Sequence, residues 1–141
     1  MDDLLPHRPP FVWVDEIREI EPGVRCVAAK RVDPADPVFA GHFPGNPLLP
    51  GVLVIEAAAQ AAGLMLAAAG EGAPALMVLA AVEHFKFKRP VRPGDLMEIE
   101  TQLLAQVPGM AAVSAVVRVG TAVVASGQLS LASRGQVVNK Q

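Results

Sequence analysis

Apolar positions along the chain change their period twice, and the changes divide it into blocks. From Phe11 to Ile20 they alternate with their neighbours: Phe11, Trp13 and Asp15 fall on one face, Val12, Val14 and Glu16 on the other, and Ile17 and Ile20 follow. Period-2 patterning predicts a strand over about 11–20. Glu21-Pro22-Gly23 predicts a turn, because Pro fixes φ and Gly accepts a positive φ next to it. Val24–Val32 predicts a second strand, and since neither of its faces is cleanly apolar it reads as an edge. Asp33-Pro34-Ala35-Asp36-Pro37 ends that block.

Between Gly51 and about Gly70 polar residues almost vanish, with only Glu56 and Gln60 interrupting the run. Alanines at 57, 58, 59, 61, 62, 67, 68 and 69 give it high helix propensity. A helix that is small and apolar on all sides belongs inside a protein. Gly70, Gly72 and Pro74 are its stop signals. The remainder predicts strands: 76–88, then a loop at 89–95, then 96–107, a Pro108-Gly109 turn, 111–119, a Gly120-Thr121 hairpin and 122–131. The tail from Ala132 to Gln141 is expected to fray. Two strands, one buried helix and then several strands predict an α+β domain, and an antiparallel sheet curled around one central helix would account for that order.

Composition narrows the classes. A chain of 141 residues with 52% apolar content can bury a core as one domain, here taken as 1–141. A net charge of −2 gives no field to attract nucleic acid or anionic lipid. One cysteine, Cys26, excludes an internal disulfide and suits a reducing compartment; lacking thiolate-stabilising neighbours, it reads as inert. The start, Met1-Asp2-Asp3, is acidic where a secretion signal is basic, so a cytoplasmic protein is expected. The 51–70 run is long enough to cross a bilayer, but it is rich in Ala and Gly and carries Glu56, so it reads as buried in protein. No Cys/His ligand cluster suggests zinc and no Gly-rich phosphate loop suggests a nucleotide, so no cofactor is expected.

Candidate chemistry concentrates at residues 39–60. Pro44, Pro47 and Pro50, with Gly41, Gly45 and Gly51, make the first half a stiff irregular loop carrying His42. The loop runs into the helix that carries Glu56. An imidazole and a carboxyl on an apolar background suit acid–base work, since burial favours the neutral form of a carboxyl. The helix start adds free N–H groups and a positive dipole end, so the Gly51 or Val52 amide is a candidate oxyanion donor. Gln60, one turn beyond Glu56 on the same face, can position its carboxyl. His7 and His84 read as structural. Lys86, Lys88, Arg89 and Arg92 form a basic cluster, with Phe85 and Phe87 on the opposite strand face. That cluster reads either as a docking patch or as a solvated edge.

These residues resemble a known family. Gly41-His42-Phe43-Pro44, Pro50-Gly51-Val52-Leu53, Glu56-Ala57 and Ala59-Gln60 are similar to the active-site segment of FabZ-type 3-hydroxyacyl-[acyl-carrier-protein] dehydratases. Leu5-Pro6-His7-Arg8 with Pro10-Phe11, and Phe87-Lys88-Arg89-Pro90-Val91 with Pro93-Gly94-Asp95, match further signatures in the family's order. The resemblance implies a hotdog fold and dehydration of a carrier-bound (3R)-3-hydroxyacyl thioester to a trans-2-enoyl thioester. It implies His42 as base, Glu56 as acid and an acidic acyl carrier protein as partner. It also implies at least a homodimer, often a trimer of dimers, with His42 and Glu56 meeting across the subunit interface. The family commonly carries a tyrosine in its N-terminal signature, whereas this chain has no Tyr. A hotdog hydratase or thioesterase acting on acyl-coenzyme A, and a non-catalytic carrier-binding paralogue, stand as alternatives.

Overall fold

The computed structural model describes residues 4–70 and 75–136. Strands β1 (Glu16–Glu21) and β2 (Arg25–Arg31) come first. A short helix α1 (Val38–Gly41) and the long helix α2 (Gly51–Ala69) follow, then β3 (Ala75–Phe87), β4 (Leu96–Val107), β5 (Met110–Val119) and β6 (Ala122–Gln136). The strands form one antiparallel sheet in the order β1-β2-β4-β5-β6-β3. α2 packs along the sheet, touching β2 to β6. This is the expected sheet around a central helix.

The helix is buried because its side chains are small and the sheet's inner positions are not. Ala57, Ala58, Ala61, Ala62, Leu64 and Met65 are fully enclosed, and they meet Met97, Ile99, Val113, Val117 and Leu129 from the sheet. By length and mean hydropathy (1.8) α2 could cross a membrane, but half of it is buried inside the protein. Gly70 closes it by donating its N–H to Ala67 O at 3.1 Å; the other expected stop signals, Gly72 and Pro74, lie outside the described residues.

The first expected strand is shorter than its alternation suggests. Residues 11–15 form an extended strap rather than part of the sheet, and pairing starts at Glu16. The physical reason is Gln60. Its amide takes the Trp13 N–H on Oε1 (2.8 Å) and gives its own N–H to Phe11 O (3.0 Å), so at Phe11 and Trp13 the strap's backbone bonds a helix side chain, and only at Asp15 does its N–H reach β2, on Ala29 O (2.8 Å). Trp13 and Val14 are buried under it.

β2 is not an edge. It lies between β1 and β4, and Cys26 to Ala29 are buried. Its mixed pattern reflects cations that find partners on neighbouring strands and on the strap. Arg25 donates to Glu100 on β4 (2.8 Å) and Glu19 on β1 (3.0 Å), and Lys30 reaches Asp15 and the Trp13 ring. The hydrogen bond from Arg25 holds the Glu100 carboxyl below the usual carboxylate range, against the opposing cost of burial, and Arg118 adds to it. Burial pushes the Cys26 thiol up to about 11, which keeps it protonated and agrees with an inert cysteine.

The true edges are β1 and β3. β3 pairs only with β6, and its exposed side chains include Leu79, Val82 and Phe87. Of the tail expected to fray, residues 132–136 instead extend β6, with Ala132 opposite both Val78 and Met110 and Ser133 opposite Met77, while 137–141 lie outside the described residues. Between Glu83 and Lys86, β3 carries one extra residue relative to β6, where His84 adopts a φ of 53°. Opposite this bulge is Gly127, where a Cβ would lie 2.6 Å from Phe85 Cα and 2.4 Å from its ring.

Two glycines therefore respond oppositely to the same change. Gly127→Ala forces backbone apart and should destabilise by roughly 2 kcal/mol or more, as overpacking does. Gly63→Ala in α2 meets nothing within 4 Å and should stabilise by up to about 1 kcal/mol, from helix propensity. Urea midpoints of the two variants against the parent chain check both signs.

Candidate active site

The His42 loop is closed by its own backbone. Leu48 N–H donates to His42 O (3.0 Å), and Phe43 and Asn46 exchange N–H to O bonds at 3.1 and 2.9 Å. Gly45 makes the turn between them with φ 74°. His42 N–H bonds back to Val38 O in α1 (3.1 Å), which anchors the loop's start.

This frame sets the tautomer of the imidazole. His42 Nδ1 lies 2.9 Å from Leu48 O. A carbonyl only accepts, so Nδ1 carries the proton, and in the neutral ring Nε2 carries the free lone pair. The Phe43 ring stacks on the imidazole with centroids 3.9 Å apart. His42 lines a cavity of about 320 Å³ shared with Gly51, Val54, Phe87, Lys88 and Arg89.

The start of α2 opens on the same cavity. Leu53 and Val54 are the first amides of the helix to find a backbone acceptor, both on Pro50 O (3.0 and 3.4 Å). The Gly51 and Val52 amides lie ahead of that ladder, as the first groups of a helix must. The Val52 side chain is 71% exposed. At Gly51 a Cβ would come within 2.9 Å of the Phe87 ring, so glycine lets that ring lie against the helix start.

Glu56 is elsewhere. Helical rotation puts it about 140° around the axis from Gly51. It lines a second cavity, of about 260 Å³, with His7, Phe11, Ala59, Met77 and Leu79, and the two cavities share no lining residue. Gln60 Nε2 donates to Glu56 Oε2 at 2.9 Å, as the spacing of four predicts. His7 Nε2 lies 3.5 Å from the same oxygen. Within one chain, then, the structure unites Glu56 with Gln60, and His42 with Gly51. It does not bring the two groups to each other.

Lys86, Lys88, Arg89 and Arg92 are all exposed. Among the described residues none of them forms an ion pair. Lys88 and Arg89 border the His42 cavity, held there by their backbone N–H groups on Val124 O (2.7 and 3.3 Å). Phe85 and Phe87 stand together with ring centroids 5.5 Å apart. Phe87 does not pack inward with the core; it remains half exposed on the cavity wall. His7, read from the sequence as structural, lies beside Glu56. It sits in a Pro-rich strap without periodicity, and only the Gln60 bonds to Phe11 and Trp13 place that strap beside Glu56.

The sheet wrapped around a buried helix defines the hotdog class. The dehydratase heterocomplex ApeI:P from Xenorhabdus doucetiae shares the fold with a TM-score of 0.80 at 21% identity, covering 95% of this chain and 90% of that one. A FabA-like domain matches residues 5–128. The 3-hydroxyacyl-[acyl-carrier-protein] dehydratase FabZ of Ruminiclostridium cellulolyticum is 42% identical over 130 residues, 92% of each chain. That of Acetivibrio thermocellus is 44% identical over 135 residues, 94% of this chain and 90% of the relative. The chain belongs to the FabZ-type 3-hydroxyacyl-[acyl-carrier-protein] dehydratases of the FabA-like family.

Gln60 has all its amide groups engaged inside the protein. Gln60→Leu strands the buried Trp13 N–H and removes a donor from Glu56, and should lower stability by about 1–3 kcal/mol. Urea unfolding followed by Trp13 fluorescence measures it, and a loss under ~0.5 kcal/mol would mean that water replaces the amide.

Proposed function

We propose that this chain removes water from carrier-protein-bound (3R)-3-hydroxyacyl thioesters, giving trans-2-enoyl thioesters, and that it does so as at least a dimer. The observation that carries the reading is the His42 imidazole. Its proton is committed to Leu48 O, and its free nitrogen shares a cavity with the unladdered amides of α2. Family membership supplies the reaction class.

His42 Nε2 takes a proton from C2 of the substrate. The C–H electron pair forms the C2=C3 bond, and the C3–O bond breaks. Negative charge that grows on the thioester oxygen meets the Gly51 or Val52 N–H at the positive end of α2. The departing hydroxyl takes a proton from Glu56 and leaves as water. One chain holds His42 and Glu56 in separate cavities, so Glu56 comes from a second copy. The unpaired β3 edge, with Leu79, Val82 and Phe87 exposed, is the surface that a second copy would cover.

Among the described residues the side chains of Lys86, Lys88, Arg89 and Arg92 form no ion pair, and Lys88 and Arg89 border the His42 cavity. An acidic carrier protein docked there would present its thioester beside the imidazole, and rim charges of this kind act mainly on association rate. A soluble cytoplasmic enzyme fits this partner.

Turnover of 3-hydroxyacyl-carrier protein, followed as enoyl product, tests the reading. The parent chain should be active and His42→Ala should lose at least ~10²-fold. A parent chain that binds the carrier but does not turn over, or that prefers free coenzyme A thioesters, would overturn it.

A further inference from the structure

Glu56 has a partner that its assigned role does not use. Among the described residues, His7 Nδ1 is the buried side-chain polar atom that has no hydrogen-bond partner. The other ring nitrogen, Nε2, faces Glu56 Oε2 at 3.5 Å. Phe11 flanks the imidazole, with ring centroids 6.2 Å apart and planes 30° from parallel. A buried N–H without an acceptor is rarer than a buried lone pair without a donor. The proton of neutral His7 therefore belongs on Nε2, aimed at the Glu56 carboxyl.

The carboxyl oxygens are not equivalent either. The Trp13 N–H donates into Gln60 Oε1, which fixes the orientation of that amide. Gln60 Nε2 then has its protons toward Phe11 O and Glu56 Oε2. Glu56 Oε2 is thus an acceptor, and the acidic proton of a neutral Glu56 sits on Oε1. His7 approaches the acceptor oxygen, not the proton-bearing one. At 3.5 Å it is a contact; a shift of about half an ångström makes it a hydrogen bond.

We propose that His7 is a positioning residue: as the Nε2–H tautomer it holds Glu56 Oε2 together with Gln60, and so presents Oε1 to the substrate hydroxyl. This rests on the reading of Glu56 as the acid. The N-terminal strap then has a chemical task as well as a packing one, because the two donors that orient the carboxyl are both secured by it.

Two substitutions separate this from a purely structural role. Glutamine places its amide nitrogen near the position of Nε2, and asparagine near that of Nδ1. His7→Gln should retain kcat within ~3-fold, whereas His7→Asn should lose ~10-fold or more in kcat with KM little changed, as misplacement of a reacting group does. Equal losses in the two variants, or a loss confined to KM, would overturn the proposal. A second readout is independent of turnover. In the parent protein labelled with ¹⁵N-histidine, the His7 ring should show the Nε2–H tautomer, and its Nε2 resonance should move on Glu56→Ala. An Nδ1–H ring, or a resonance indifferent to Glu56, contradicts the assignment. If the parent chain turns over no hydroxyacyl substrate, the functional reading fails, and the spectrum still decides the contact between His7 and Glu56.

Discussion

A helix made largely of alanine has little apolar surface per residue, so it is held in place only if a sheet comes close on several sides at once. That constraint organises this molecule. The enclosed alanines at 57, 58, 61 and 62 allow the strands to approach, and Met97, Ile99, Val113 and Leu129 fill the space that small side chains leave. The polar groups of interest then hang on this one element. Its N-terminus offers unpaired amides at Gly51 and Val52, and its middle carries Glu56 and Gln60. A helix fixed by packing fixes the chemistry with it.

Buried polarity is used sparingly around α2, and each group has a defined task. Gln60 joins the helix to the strap through Trp13 and Phe11 while it orients Glu56. Leu48 O, held by the closed His42 loop, decides which imidazole nitrogen is free. The imidazole and the carboxyl are thereby prepared separately, on different sides of one helix. In the reaction proposed above, a second chain seated on the unpaired β3 edge would supply the missing half of each site.

Much of the architecture was legible from local pattern. The alanine run marked α2 to within a residue, the alternation of Met97, Ile99 and Thr101 marked β4, and the Gly120-Thr121 hairpin formed, with Gly120 at φ 63°. Glu56 with Gln60 was legible from their spacing of four. What was not legible depended on long-range bonds. Residues 11–15 alternate like a strand, but the backbone of Phe11 and Trp13 is taken by Gln60, forty-seven residues from Trp13. β2 looked like an edge because Arg25 and Lys30 break its pattern, and their partners Glu100 and Asp15 come from elsewhere in the chain. His7 has no periodic context, so only the fold reveals what it faces.

On the proposed reaction, each site takes His42 from one chain and Glu56 from another. Mixing the inactive His42→Ala and Glu56→Ala chains, by refolding or co-expression, tests it most directly. Random pairing puts both lesions in one site of each mixed dimer and leaves the other site intact. About a quarter of the parent activity per chain should then return. If mixed dimers form, as verified by two different affinity tags, and no activity returns, the shared site is wrong.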